Sequence, residues 1–364
     1  MLNRSWVEVD LGQLKKNYLE YNKRLFSGQE VIAVVKANAY GHGDVQVAKT
    51  LERVGVKHFA VANAKEGVRL RKNGIKGSIL ILSYTPKSSF KLLCAYDLMQ
   101  TIISEDYAKE IIDAHLPIKV QIAIDSGMNR VGFSAKNPSL CARKIIQYSK
   151  KLSVVGIFTH LSCADDDARQ DFTLKQIGLF KKVVDKCKCL NLQFVHYANS
   201  AGGITYNDKS FNFVRLGVML YGLYPSEKSC ANLNIKPILC WKSVVSMVKT
   251  VDKGENVGYG QSYKCSKRSK IATIPTGYAD GYSRQLSNNG YVLINGQKAN
   301  IVGKICMDQF MVDVTKINSV KQGDGVILLN NELKADFLAK SVGTINYEIV
   351  CSISNRVERI YKNK

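Results

Sequence analysis

The chain has 364 residues, with 52 Lys+Arg against 30 Asp+Glu and a formal charge of +22. Single cores tend to split at that length, so two domains are expected, with enough burial to need no disulfide staple. A content of 46% hydrophobic and 9% aromatic residues excludes an intrinsically disordered chain. The cations recur throughout, as at Lys15 and Lys16, Lys181 and Lys182, and Lys267 to Lys270. Dispersion of this kind describes a solvated surface rather than a nucleic-acid face.

Ten cysteines run from Cys94 to Cys351 without a CxxC pair, so neither a metal site nor a redox motif is indicated. Asn3, Arg4, Glu8 and Asp10 interrupt any N-terminal apolar run, which argues against a signal peptide and for a reducing, cytoplasmic setting. No apolar run approaches the ~18 residues that a membrane-spanning helix needs. A tether outside this sequence remains open.

Along the chain, Arg4–Asp10 alternates like a strand that can belong to either domain. From Val31 to about Tyr221, short apolar runs then alternate with helical patterns. The predicted strands are Val31–Val35, His58–Val61, Ile79–Leu82, Leu98–Ile103, Ile118–Ile124, Val154–Thr159, Phe194–Ala198 and Val214–Leu216. Asp44–Val54 and Thr173–Cys187 carry helical periodicity. Eight strands with intervening helices predict a (β/α)8 barrel, α/β in class, with its active site at the C-terminal strand ends; a doubly wound sheet is the rival. After Ser226 the sequence turns to alternating Val/Ile strands and Gly-rich turns such as Asn295-Gly296, which predicts an all-β domain. The expected domains are 1–234 and 235–364.

The first strand runs directly into Lys36, followed by Ala37-Asn38-Ala39-Tyr40-Gly41-His42-Gly43. A single lysine at a strand end ordinarily snorkels to solvent. Here two glycines and a tyrosine within four positions predict a tight loop that returns an aromatic hydroxyl toward the amine. Desolvating such an amine favours Schiff-base chemistry.

That segment resembles the pyridoxal 5'-phosphate lysine segment of alanine racemases, and the resemblance runs through almost the whole chain. Further matches are Asp125 to Phe133, Gly156 to His160, His196 to Ser200, Arg215 to Val218, Val257 to Gly260, Gly277 to Gly281 and Gly303 to Asp308. It implies a barrel that binds the cofactor through Lys36, a following β domain, and a homodimer with shared active sites. Lys36 would serve one enantiomer as base, and Tyr259 from the partner subunit the other. A phenol, ordinarily titrating near ~10, needs nearby cations to act as a base at neutral pH. His160 and Arg215 would form that relay. Arg215 would also face the pyridine nitrogen. Gly217, Val218, Ser200 and Tyr40 would cradle the phosphate. Arg130 would reach the cofactor phenolate and the substrate carboxylate, while Met307 and Tyr278 would wall the substrate pocket. His196 and Asn199 suit either an outer supporting layer or ordinary buried polar packing.

Two positions depart from the family pattern. Many members have a carboxylated lysine where this chain has Ala123, so Arg130 lacks that anionic partner and is expected to take a chloride or another anion, or to be held differently. Several members have a tyrosine where this chain has Asn355, and that exchange opens room near the cofactor and substrate. An amide there can hydrogen-bond a hydroxymethyl group, and a site that bonds a hydroxyl discriminates more strongly than one that merely accommodates it. The resemblance therefore extends to the racemase domains of membrane-bound serine racemases of vancomycin resistance, with serine and alanine as substrates and D-amino acids for peptidoglycan as products. A housekeeping alanine racemase or a broad-specificity racemase is the alternative. A barrel-type decarboxylase is disfavoured by the pairing of Tyr259 with Lys36, and a PLP homeostasis protein by the second domain.

Overall fold

In the computed structural model, eight strands run in the order Phe213–Leu216, Glu30–Val34, His58–Val61, Ser78–Ile81, Leu98–Ile102, Lys119–Asp125, Ser153–Phe158 and Phe194–His196, each parallel to the next. Backbone bonds from Asn212 N to Val195 O (3.4 Å) and from Arg215 N to Ala198 O (3.0 Å) bring the last strand against the first. The structure describes residues 4–226 and 233–364. Contacts divide the chain into two units: Leu14–Ala39 with Asp44–Ile235, and Met1–Gln13 with Tyr40–Gly43 and Lys236–Lys364.

In the barrel unit the strands are buried almost end to end, as Val31, Ile32, Ala33 and Val34 illustrate. Parallel strands covered on both faces read as continuous apolar runs rather than alternating ones. The helix Gln170–Lys186 starts a turn before the periodicity predicts, because its exposed first turn, Gln170 and Asp171, contributes no apolar signal. The strand Phe194–His196 stops short of the predicted Ala198. Tyr197 O and Ala198 O accept bonds from the side chain and amide of Arg215 instead of continuing the ladder.

The β unit is built on a nine-stranded sheet with Met247–Val251 at one edge and Glu358–Lys362 at the other. Ser5–Asp10 lies inside it, antiparallel to Leu239–Val244 and parallel to Glu358–Lys362. Its alternating burial puts Val7 and Val9 into the core and leaves Trp6 and Glu8 half-buried. Asn295 and Gly296, at φ 52° and 72°, link Tyr291–Ile294 to Gln297–Val302. Two positive φ angles are what a type I′ hairpin turn requires.

Candidate active site

Lys36 is half-buried where the strand Glu30–Val34 gives way to the turn Lys36–Tyr40. The loop read from the sequence as tight because of its glycines is tight for another reason. Ala37, Asn38, Ala39 and Tyr40 all adopt left-handed backbone, with φ between 52° and 54°. Left-handed helical geometry costs an L-residue roughly 1–2 kcal/mol, so a run of four persists only where its surroundings over-determine it. Ala39 N bonds Val35 O (2.9 Å), and Ala37 N donates to Glu66 Oε1 (2.9 Å). Asn38 Oδ1 accepts from Asp44 N (3.1 Å), and the buried Asp44 carboxylate pairs with Arg69.

Arg215, 4% exposed on the strand Phe213–Leu216, pairs with no carboxylate among the described residues. It donates to Thr159 O (2.8 Å), Tyr197 O (2.9 Å), His160 Nδ1 (3.2 Å) and His196 Nδ1. The ring of Phe158 lies 5.3 Å from the guanidinium and stacks on His196 at 5.0 Å. Burial, with help from the charge of Arg130, pushes Arg215 down to about 9, which leaves it cationic at neutral pH. His160 and His196 are both held well below the ordinary imidazole range. Burial is the main cause at each, followed by the charge of Arg215; Arg130 and Lys36 add to it at His160. Both imidazoles are therefore neutral acceptors toward Arg215.

Arg130 sits on a loop organised by Asp125, whose Oδ1 accepts from Gly127 N (2.9 Å) and Asn129 N (3.0 Å). Gly132, at φ +116°, folds the loop back over the strand. A Cβ there would lie 2.8 Å from Ala123 O and from Asp125 N. Ala123 is buried, and no carboxylate among the described residues pairs with the exposed Arg130. Ser200 Oγ accepts from Gly217 N (2.9 Å), which leaves the hydroxyl proton to donate; Val218, also buried, opens the short turn Val218–Tyr221. Asn199 has a local role, accepting from Gly202 N (2.9 Å) and donating to Leu161 O (3.2 Å).

The remaining predicted residues belong to the β unit. Tyr40 is buried with its ring 6.1 Å from that of Tyr347, and burial raises its hydroxyl well above the usual phenol range. Tyr278 and Met307 are brought together by bonds from Tyr278 N to Cys306 O (3.1 Å) and from Ala279 N to Met307 O (3.0 Å), and both side chains are exposed. Tyr259 is 71% exposed, an unusual setting for a large aromatic residue. Asn355 is exposed on a turn.

Sequence reading passed over Gln121, Phe158, Glu66 and Arg69. Gln121 carried a usable signal, because an amide inside the apolar run Lys119–Asp125 demands a buried partner. Glu66 carried a weaker one, being the third residue after the helix cap Asn63.

Among the described residues, a buried guanidinium with neutral acceptors, a second guanidinium without a carboxylate, a hydroxyl able to donate and a strand-end lysine are the donor types that an anionic carbonyl compound needs. That donor set fits pyridoxal 5'-phosphate. Two family descriptions match the chain: "Alanine racemase, N-terminal domain" over residues 9–225 and "Alanine racemase, C-terminal domain" over residues 238–361. The chain is 43% identical to an alanine racemase of Clostridium perfringens over 373 residues, which cover 98% of the chain and 95% of that relative. It is 40% identical to that of Clostridium novyi over 368 residues, with the same two coverages. Among solved structures, the alanine racemase of Clostridium difficile superposes with a TM-score of 0.94 at 38% identity, covering 99% of this chain and 96% of that one. The Bacillus anthracis enzyme with bound L-Ala-P gives 0.91 at 34% identity, covering 100% and 96%. The chain belongs to the alanine racemase family, whose enzymes are pyridoxal 5'-phosphate-dependent isomerases.

Proposed function

We propose that this protein interconverts L- and D-alanine as a homodimer, with Lys36 as the cofactor lysine and one base, and Tyr259 of the partner subunit as the other. The observation that carries the reading is the buried Arg215 bonded to His160 Nδ1 (3.2 Å), an imidazole held neutral by burial and by the charges of Arg215, Arg130 and Lys36. When bound, pyridoxal phosphate supplies the electron sink that makes an amino-acid Cα–H acidic. Two bases on opposite faces then allow inversion: Lys36 takes or returns the proton on one side, and the partner's Tyr259 does so on the other. Arg130 binds the substrate carboxylate, while Tyr278 and Met307 of the partner subunit narrow the pocket. Ser200, Gly217 and Val218 would hold the phosphate. Arg215 would face the cofactor ring nitrogen as a donor that keeps its own proton. D-Alanine made this way serves cell-wall precursors.

The broad likeness to proteins named alanine racemase weighs toward alanine, and Asn355 alone favours a second reading in which serine is also turned over. No helix among the described residues is long and apolar enough to cross a membrane. A membrane-tethered form of the second reading therefore needs a segment other than those. The test is racemisation of L-alanine by the purified protein together with its visible spectrum. A band near ~420 nm that vanishes in Lys36→Ala, with loss of activity, is the expected result for a lysine-bound cofactor. A wild-type protein that binds pyridoxal phosphate without racemising alanine or serine overturns the reading.

A further inference from the structure

The helix Ala64–Lys72 sends two charged side chains toward the left-handed turn that begins at Lys36, Glu66 to the turn itself and Arg69 to Asp44, which bonds it. Glu66 divides its oxygens: Oε2 accepts from Ala62 N (2.7 Å) beside its own helix, and Oε1 accepts from Ala37 N (2.9 Å), the amide directly after Lys36. Arg69, one helical turn later, donates from Nε to Asp44 Oδ2 (2.8 Å), and Asp44 N in turn bonds the Asn38 side chain (3.1 Å). Asp44 is 3% exposed, so Arg69 is the cation that balances a buried carboxylate. Residues at i and i+3 share a helix face, which lets a single rigid element hold the turn at Ala37 directly and at Asn38 through Asp44. Without Glu66 the amide of Ala37 would be an exposed donor in a strained backbone, which favours relaxation toward right-handed geometry.

We infer that Glu66 and Arg69 are positioning residues that brace the left-handed turn and so hold the Lys36 amine in register with the site; this rests on Lys36 being the cofactor lysine. Neither needs to touch substrate or cofactor. Their effect is on where the amine sits, and misplacement by about an ångström is enough to slow a reaction on the order of 100-fold.

The experiment compares holoenzymes of wild type, Glu66→Ala, Glu66→Gln and Asn63→Ala. Asn63 caps the same helix through its side chain, accepting from Glu66 N (3.1 Å), but does not reach the turn. Two quantities are read: backbone hydrogen exchange in a peptide covering residues 35–41, and kcat and KM measured separately. For Glu66→Ala, exchange in that peptide speeds up by about tenfold or more and kcat falls about tenfold or more, with KM within about twofold. Glu66→Gln keeps one of the two acceptors and, with that oxygen toward Ala37 N, recovers part of both. Asn63→Ala lowers the melting temperature but leaves both readouts within about twofold of wild type. If Glu66→Ala does not fold, Arg69→Gln, at the exposed end of the brace, is expected to give the same pair of changes. Unchanged exchange in Glu66→Ala, or equal effects from Asn63→Ala, overturns the brace. A wild-type enzyme lacking the lysine-dependent visible band would instead defeat the cofactor reading beneath it.

Discussion

His196 Nε2 lies 2.8 Å from the side-chain oxygen of Gln121, while Arg215 occupies its Nδ1. A guanidinium has no acceptor, so Nδ1 must present its lone pair and Nε2 must carry the proton. Gln121 Oε1 then accepts that proton, and the Gln121 amide faces the sulfur of Met99 at 3.8 Å. One arginine thereby sets the direction of every bond in a buried chain of four side chains. Gln121→Leu orphans the Nε2 proton of a fully buried ring. We expect a loss of about 1–3 kcal/mol in denaturant unfolding, and a loss below ~0.5 would show that the imidazole finds another partner.

Acid should weaken the fold through its histidines. The folded values of His160 and His196 are depressed, whereas an unfolded imidazole titrates near ~6.5. Below that pH the unfolded chain takes up protons that the native one refuses. The stability from neutral burial is thus complete above ~6.5 and declines as pH falls toward the lowered native values, by up to about 1.4 kcal/mol per histidine per pH unit. Chemical unfolding at pH 7, 6 and 5 checks this, and a flat profile would contradict it.

Among the described residues neither Arg130 nor Arg215 pairs with a carboxylate, so a suitable anion should stabilise the cofactor-stripped protein. Inorganic phosphate at about ten times its Kd should add roughly 1.4 kcal/mol, read as a rise in Tm over an equal ionic strength of a bulky organic salt. Arg130→Met should reduce the gain, because that guanidinium has no carboxylate to fall back on.

Tyr259→Phe tests the two-base reading without disturbing the fold. The side chain is largely exposed, so stability should move by less than ~0.5 kcal/mol. Racemisation should fall by roughly 100-fold or more, with loss of proton exchange at Cα from one enantiomer only. Equal loss from both enantiomers would point to a single base.

Asn355→Tyr tests the substrate. If the amide bonds a hydroxymethyl group, the ratio of kcat/KM for L-serine to that for L-alanine should drop by about tenfold or more. No change in that ratio, or no measurable serine turnover in the parent protein, leaves alanine as the substrate.

The lysine after an apolar strand, the Asp-Ser-Gly-Met loop, the eight strand runs and the Gly-rich second half were all legible in the sequence. They are local patterns, set by side-chain alternation and turn chemistry within a few residues. What the tertiary structure decided depends on partners far apart in the chain: Gln121 meets His196 across 75 positions, Arg215 meets Thr159 across 56, and Ala37 meets Glu66 across 29. Asn199 by contrast bonds locally to Gly202 N, His196 accepts from Arg215, and four non-glycine residues stand left-handed where intrinsic preference opposes it. Such a conformation cannot be read from propensity, because it is held by partners outside the segment, Glu66 among them. The sequence by itself determined which chemical groups are present and on which strand ends they lie; packing decided which of them are neutral, which stay charged and which hold the others still.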